Sequence, residues 1–93
     1  MTFSSLQELF ADESRWTTGT LARDANGKHV SPEEESATCY CLVGGAVKVY
    51  GAGYVAALEK VRDVTGVSSG AFGHFNDHAT IADIRRVCAE AGV

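Results

Sequence analysis

Apolar side chains recur at helical spacing in four stretches of this chain and lose that spacing in two others. Leu6, Leu9 and Phe10 share one face of a first helix, opened by Ser5 with Glu8 three residues on, the spacing of a capping box. Asp12, Glu13 and Arg15 fall on its wet side, and Trp16 packs just past its end. Ser31-Pro32-Glu33-Glu34 is a strong start signal: serine caps, proline takes the first helical position, and acids follow at the positive helix end. It predicts a helix from Ser31 to about Tyr50, with Ala37, Cys41, Gly44 and Lys48 in one row and Tyr40, Val43 and Val47 in the next. Glycines inside a helix cost about 1 kcal/mol each relative to alanine. Gly44 and Gly45 therefore imply that another backbone or a large ring comes close. Gly51-Ala52-Gly53 breaks this helix. Tyr54–Thr65 forms the next, with Gly66 as its C-cap. Thr80-Ile81-Ala82-Asp83 opens the last, whose apolar row is Ile81, Ile84, Val87 and Cys88, continued by Ala91; Arg85, Arg86 and Glu90 point outward.

The remaining stretches read as non-helical. Asp24-Ala25-Asn26-Gly27 is a turn, so Thr18–Arg23 is expected to pair with Lys28–Val30 in a short hairpin or ordered arm leaning on the helices. Val67–Asp77 reads as a loop rich in glycine and serine, with Phe75 anchored in the core beneath it. The expected fold is one α+β domain over residues 1–93, mostly α. About four helices pack around the Gly-containing central helix, with one short β-hairpin or ordered arm.

Composition narrows the class. A chain of 93 residues forms one domain and buries roughly two thirds of its unfolded surface. The net charge is −4, and all of it arises in residues 1–46, because residues 47–93 carry five acids and five bases. No basic stripe exists, which argues against nucleic-acid binding; an acidic face suits a basic partner or simply keeps the chain soluble. Cys39–Leu58 is nearly continuous in apolar residues, yet four glycines and Lys48 fit a packed core better than a lipid span. That stretch also admits a homo-oligomer, since it exceeds what one small domain covers. No basic segment with an apolar run opens the chain, so no secretion signal is expected. Three cysteines, with Cys39 and Cys41 too close for an ordinary staple, fit reduced thiols in the cytoplasm.

The densest chemistry lies at Phe75-Asn76-Asp77-His78-Ala79-Thr80. One reading pairs Cys41 as nucleophile with His78 as base, oriented by Asn76 or Asp77, in a hydrolase or transferase. Against it, Cys41 is expected about ten residues into its helix and facing the core, far from the helix N-terminus where thiols are activated. A metal reading joins His74 and His78, four residues apart, to Asp77 and Cys39 or Cys41; no C-x-x-C knuckle supports it, and neither metal nor cofactor is expected. Asn76, Asp77 and Thr80 are also the residue types that cap helices and brace turns. Arg23 and Asp24 offer a local ion pair.

Four motifs stand in order: Trp16-Thr17-Thr18-Gly19, Ala22-Arg23-Asp24-Ala25-Asn26-Gly27, Cys41-Leu42-Val43-Gly44-Gly45-Ala46, and Phe75-Asn76-Asp77-His78-Ala79-Thr80. In these the chain resembles, from Leu6 to Ala91, a small family of bacterial and phage proteins described as a domain of unknown function. It departs from that family in carrying Phe75 for a tryptophan, an extra glycine at Gly45 and a short Asp77–Thr80 gap. The resemblance implies a compact, mostly helical domain with no assigned activity, substrate or cofactor. It shows no fixed histidine at His78 and draws attention to Arg23, Asp24, Cys41, Asn76 and Asp77. Arg23, Asp24, Asn76 and Asp77 are accordingly the binding candidates, or else a polar network holding hairpin and helices together. The function expected is a small cytosolic accessory protein acting by protein–protein contact. The phage side of the resemblance implies a modulator or inhibitor of a host system, such as an anti-defence protein.

Overall fold

The computed structural model describes residues 2–93. It is an α+β domain, mostly α, with four helices of seven residues or more and a two-stranded antiparallel sheet. One turn of helix, α1 (Leu6–Leu9), leads through a 3₁₀ turn at Glu13–Arg15 to strands β1 (Ala22–Asp24) and β2 (Ala37–Tyr40). Helix α2 (Leu42–Tyr50) follows, then α3 (Tyr54–Thr65), α4 (Phe72–His78) and α5 (Ile81–Ala91). Among the described residues no helix is long and apolar enough to cross a membrane.

Local signals hold at most helix ends. Ser5 Oγ accepts the Glu8 N–H at 3.1 Å and opens α1, and Leu6, Leu9 and Phe10 are all fully buried. Gly51 takes φ 55° and ψ −123° and turns the chain between α2 and α3. Gly66 closes α3 in the left-handed region at φ 72°. Thr80 and Asp83 form a reciprocal capping box on α5, whose Ile84, Val87 and Cys88 are buried.

The segment 31–41 departs from expectation. Ser31-Pro32-Glu33-Glu34 starts no helix; Glu34 N–H donates to Ser31 O at 3.1 Å and Ala37 N–H to Glu34 O at 3.1 Å, two turns in succession. The chain then extends as β2, in which Thr38, Cys39 and Tyr40 suit a pleated surface. It pairs with β1 in the register Ala22↔Tyr40 and Arg23↔Cys39. The expected arm does lie on the other edge of β1, where Asp24 N–H donates to Lys28 O and Val30 N–H to Ala22 O. Its pairing amounts to a single bridge, Arg23↔His29. Helix α2 therefore begins at Leu42, about three turns later than the start signal predicts.

Helix α2 is the centre of the packing, against α1, α3, α4 and β2. Its glycines explain how it fits. A Cβ on Gly44 would strike the Leu21 carbonyl oxygen, and one on Gly45 would stand 2.8 Å from Phe10 Cζ and 3.0 Å from Leu9 Cδ2. Backbone and ring both come close, as the paired glycines imply. Helix α4 replaces the expected loop because Phe72 and Asn76, four residues apart, are both buried on one face. That packing outweighs the helix cost of Gly73.

Candidate functional site

The N-terminus of α2 gathers the polar candidates. Cys41 is its N-cap, with Sγ accepting the Gly44 N–H at 3.3 Å. The first N–H of the helix, on Leu42, has no partner within the helix and donates to Asn76 Oδ1 at 3.0 Å. Trp16 Nε1–H donates to the same oxygen at 2.8 Å. The other end of the Asn76 amide donates to Thr17 O at 3.0 Å and, more weakly, to Asp77 Oδ1 at 3.4 Å. Asp77 Oδ1 also accepts the Gly19 N–H at 2.9 Å. From the other side Arg23 donates to Thr17 Oγ1 at 3.1 Å, Thr18 O at 3.0 Å and Gly27 O at 3.1 Å. The Trp16–Gly19 loop is thus clamped between a strand arginine and a helix asparagine, and the amide and both its indole and main-chain partners are satisfied.

Arg23, Asn76, Asp77 and Cys41 therefore meet around one loop. Asp24 stands apart: its Oδ1 accepts from Asn26 N–H and Lys28 N–H, both at 2.9 Å, bracing its own turn. Among the described residues it makes no ion pair with Arg23.

The structure does not bring His78 to Cys41. Its ring packs on His74, centroids 4.2 Å apart, beside a depression that also touches Val67, Phe75, Asp83 and Arg86. Cys41 faces a different depression, and among the described residues no hydrogen bond joins the two. Cys41 lies at a helix N-terminus rather than deep within the helix, which corrects the expectation for it. Its thiol is nevertheless pushed up, chiefly by burial, with the negative charge of Asp77 adding to the effect and the Gly44 and Val43 N–H groups opposing it. Desolvation wins over the helix end, so the group stays protonated near neutrality. As for metal, among the described residues no group of three or more His, Cys, Asp or Glu side chains is placed to share an ion, so His74 and His78 stand as a pair only.

The surface around Cys41 holds features that residue chemistry alone did not reveal. A depression of about 320 Å³ is bounded by Gly19, Leu21, Cys41, Val43 and Asp77. A second, of about 390 Å³, is bounded by Val43, Tyr54, Val55, Leu58, Glu59, Arg62 and Phe72. Val43 lines both, so the two are neighbours along one strip of surface. Leu21, 46% exposed, lines the first and Val55, 51% exposed, the second. Val55 lies in the first turn of α3. The buried face is Ala57, Leu58 and Val61, and Val55 lies off it.

Comparison with protein-family models, curated proteins and solved structures finds no match to this chain.

Proposed function

We propose that this chain is a small accessory protein that acts by binding another protein through the strip from Leu21 across Val43 to Val55. The carrying observation is that two large apolar side chains about half exposed, Leu21 and Val55, line neighbouring depressions that share Val43. Exposed apolar surface of this kind marks interaction sites. The polar network beneath gives the strip a fixed edge, since Asn76, Asp77 and Arg23 hold the loop that presents Leu21. Three free thiols fit a cytosolic setting, and the resemblance to bacterial and phage chains favours a modulator of a host system as the kind of accessory role.

A photo-crosslinking residue placed at Val55 in the native host tests this. Discrete adducts from Val55, absent when the same group replaces Glu33 on the exposed turn, are expected. Equal labelling from both positions, or none from either, sinks the reading.

The competing hydrolase or transferase reading, with Cys41 attacking and His78 as base, rests on a thiol that is 5% exposed and raised in pKa. Native protein is expected to alkylate at Cys41 many times more slowly than urea-unfolded protein. Rapid native labelling of Cys41 would revive the enzyme.

A further inference from the structure

We infer that Asn26 is a site of spontaneous covalent modification, passing through a succinimide to aspartate and isoaspartate, at a rate restrained by Asp24. The inference stands apart from the binding strip.

The turn supplies both reacting groups. Asn26 and Gly27 are exposed, and the Asn26 side-chain amide makes no hydrogen bond among the described residues. Gly27, at φ 81°, has no side chain to shield its nitrogen, and nothing lies within 4 Å of where a Cβ would stand. On losing its proton to solvent hydroxide, the Gly27 nitrogen attacks Asn26 Cγ. The bond from Cγ to the side-chain nitrogen breaks, and ammonia leaves with a proton taken from water. Water then opens the ring at either carbonyl, giving aspartate or isoaspartate.

Two contacts slow the attack. Gly27 N–H is donated to Asp24 O at 3.0 Å, which occupies the proton that must leave. The Asp24 carboxylate accepts Asn26 N–H and Lys28 N–H, both at 2.9 Å, and so sets a negative charge beside the anion that must form. The product reaches beyond the turn. Arg23 donates to Gly27 O at 3.1 Å while holding Thr17 Oγ1 and Thr18 O. Isoaspartate lengthens the main chain by a methylene ahead of Gly27 and moves that carbonyl, so the grip of Arg23 on the Trp16–Gly19 loop loosens.

The test ages the full folded chain at mildly alkaline pH and follows residue 26 by peptide mass mapping, with fragmentation that separates aspartate from isoaspartate. Asn26 is expected to convert while Asn76, fully buried, stays intact. Asp24→Ala should convert several-fold faster than the parent. Asp24→Asn, which keeps an acceptor and drops the charge, should fall between them. An Asn26 that survives in the folded parent as long as Asn76 overturns the site. Equal rates in the parent and both variants, each shown to be folded by its amide spectrum, overturn the restraint by Asp24. The isolated isoaspartate form should exchange its Thr17 and Gly19 amides, bonded to Tyr40 O and Asp77 Oδ1 in the parent, several-fold faster than fresh protein. Unchanged exchange there overturns the link to the loop.

Discussion

Asn76 is fully buried, and its amide reaches three separate parts of the chain: α2, the Trp16–Thr17 loop and its own neighbour Asp77. Its residue type announces a cap, and it is one. The helix it caps is α2, 34 residues away, while α5 is capped by Thr80. Sequence shows the type and hides the target, because a side-chain-to-backbone bond of this range leaves no local pattern. Asn76→Ala strands the Leu42 N–H and the Trp16 indole N–H without an acceptor, so a loss of about 3 kcal/mol is expected in urea unfolding. A change within about 0.5 kcal/mol would show that water replaces the amide easily. Gly44 and Gly45 were legible because a doubled helix-breaker has few other excuses. They differ in what they face. Gly44→Ala drives its methyl into the Leu21 carbonyl, which is held by the Cys41 N–H at 3.1 Å and cannot step aside. Gly45→Ala meets the tips of side chains that can turn. Gly44→Ala should cost about 3 kcal/mol and Gly45→Ala about 1–2 kcal/mol; the reverse order would mean that Leu21 yields more readily than Phe10.

Elements were legible where both ends are marked locally. Helix α3, with Gly66 behind it, and α5, with its capping box, match their expected bounds. The segment 31–41 was not, because Ser-Pro-Glu-Glu is a first-turn signal with no apolar residue behind it until Ala37, and the β pairing that wins joins Cys39 to Arg23, sixteen residues earlier. Helix α1 shows another effect of distance. One turn of helix leaves its last carbonyls unpaired. Arg15 Nη1 donates to Glu8 O and Leu9 O, each at 3.2 Å, while Arg85 on α5 donates to Phe10 O at 2.8 Å and Ala11 O at 2.9 Å. The helical spacing of α5 points Arg85 outward; its side chain instead folds back and ties α1 to α5. Arg85→Ala should cost about 1–2 kcal/mol and speed amide exchange at Leu9, Phe10 and Ala11 ahead of α3. Arg85→Lys should restore little, since an ammonium does not present two parallel donors to two carbonyls. Full rescue by lysine would reduce the tie to simple charge at a helix end.

For the whole molecule, the titrating groups set a window of stability with two different edges. On the acid side Glu8, Asp12 and Asp83 are held below their ordinary values: Glu8 by the Ser4 side chain, Asp12 by the Ser14 side chain, and Asp83 by the Thr80 backbone N–H. A depressed carboxyl stabilises above its unfolded value, 4.5 for glutamate and 3.8 for aspartate, and loses that contribution as pH falls through its folded value. All three are surface caps, so this edge is shallow. On the alkaline side burial pushes Cys88 up to about 12 and raises Cys41 as well. A raised thiol contributes fully below its unfolded value of 9.0 and loses its contribution as pH rises from there through the folded value. Thermal midpoints should therefore be flat from about pH 5 to 9, drift down gently below, and fall steeply above. Cys88→Ala removes a buried atom and lowers the plateau, yet takes away the ionisable group, so its alkaline limb should be shallower than that of the parent. An unchanged alkaline slope in that variant would place the transition in another group, with Tyr40, itself raised by burial, the next to test.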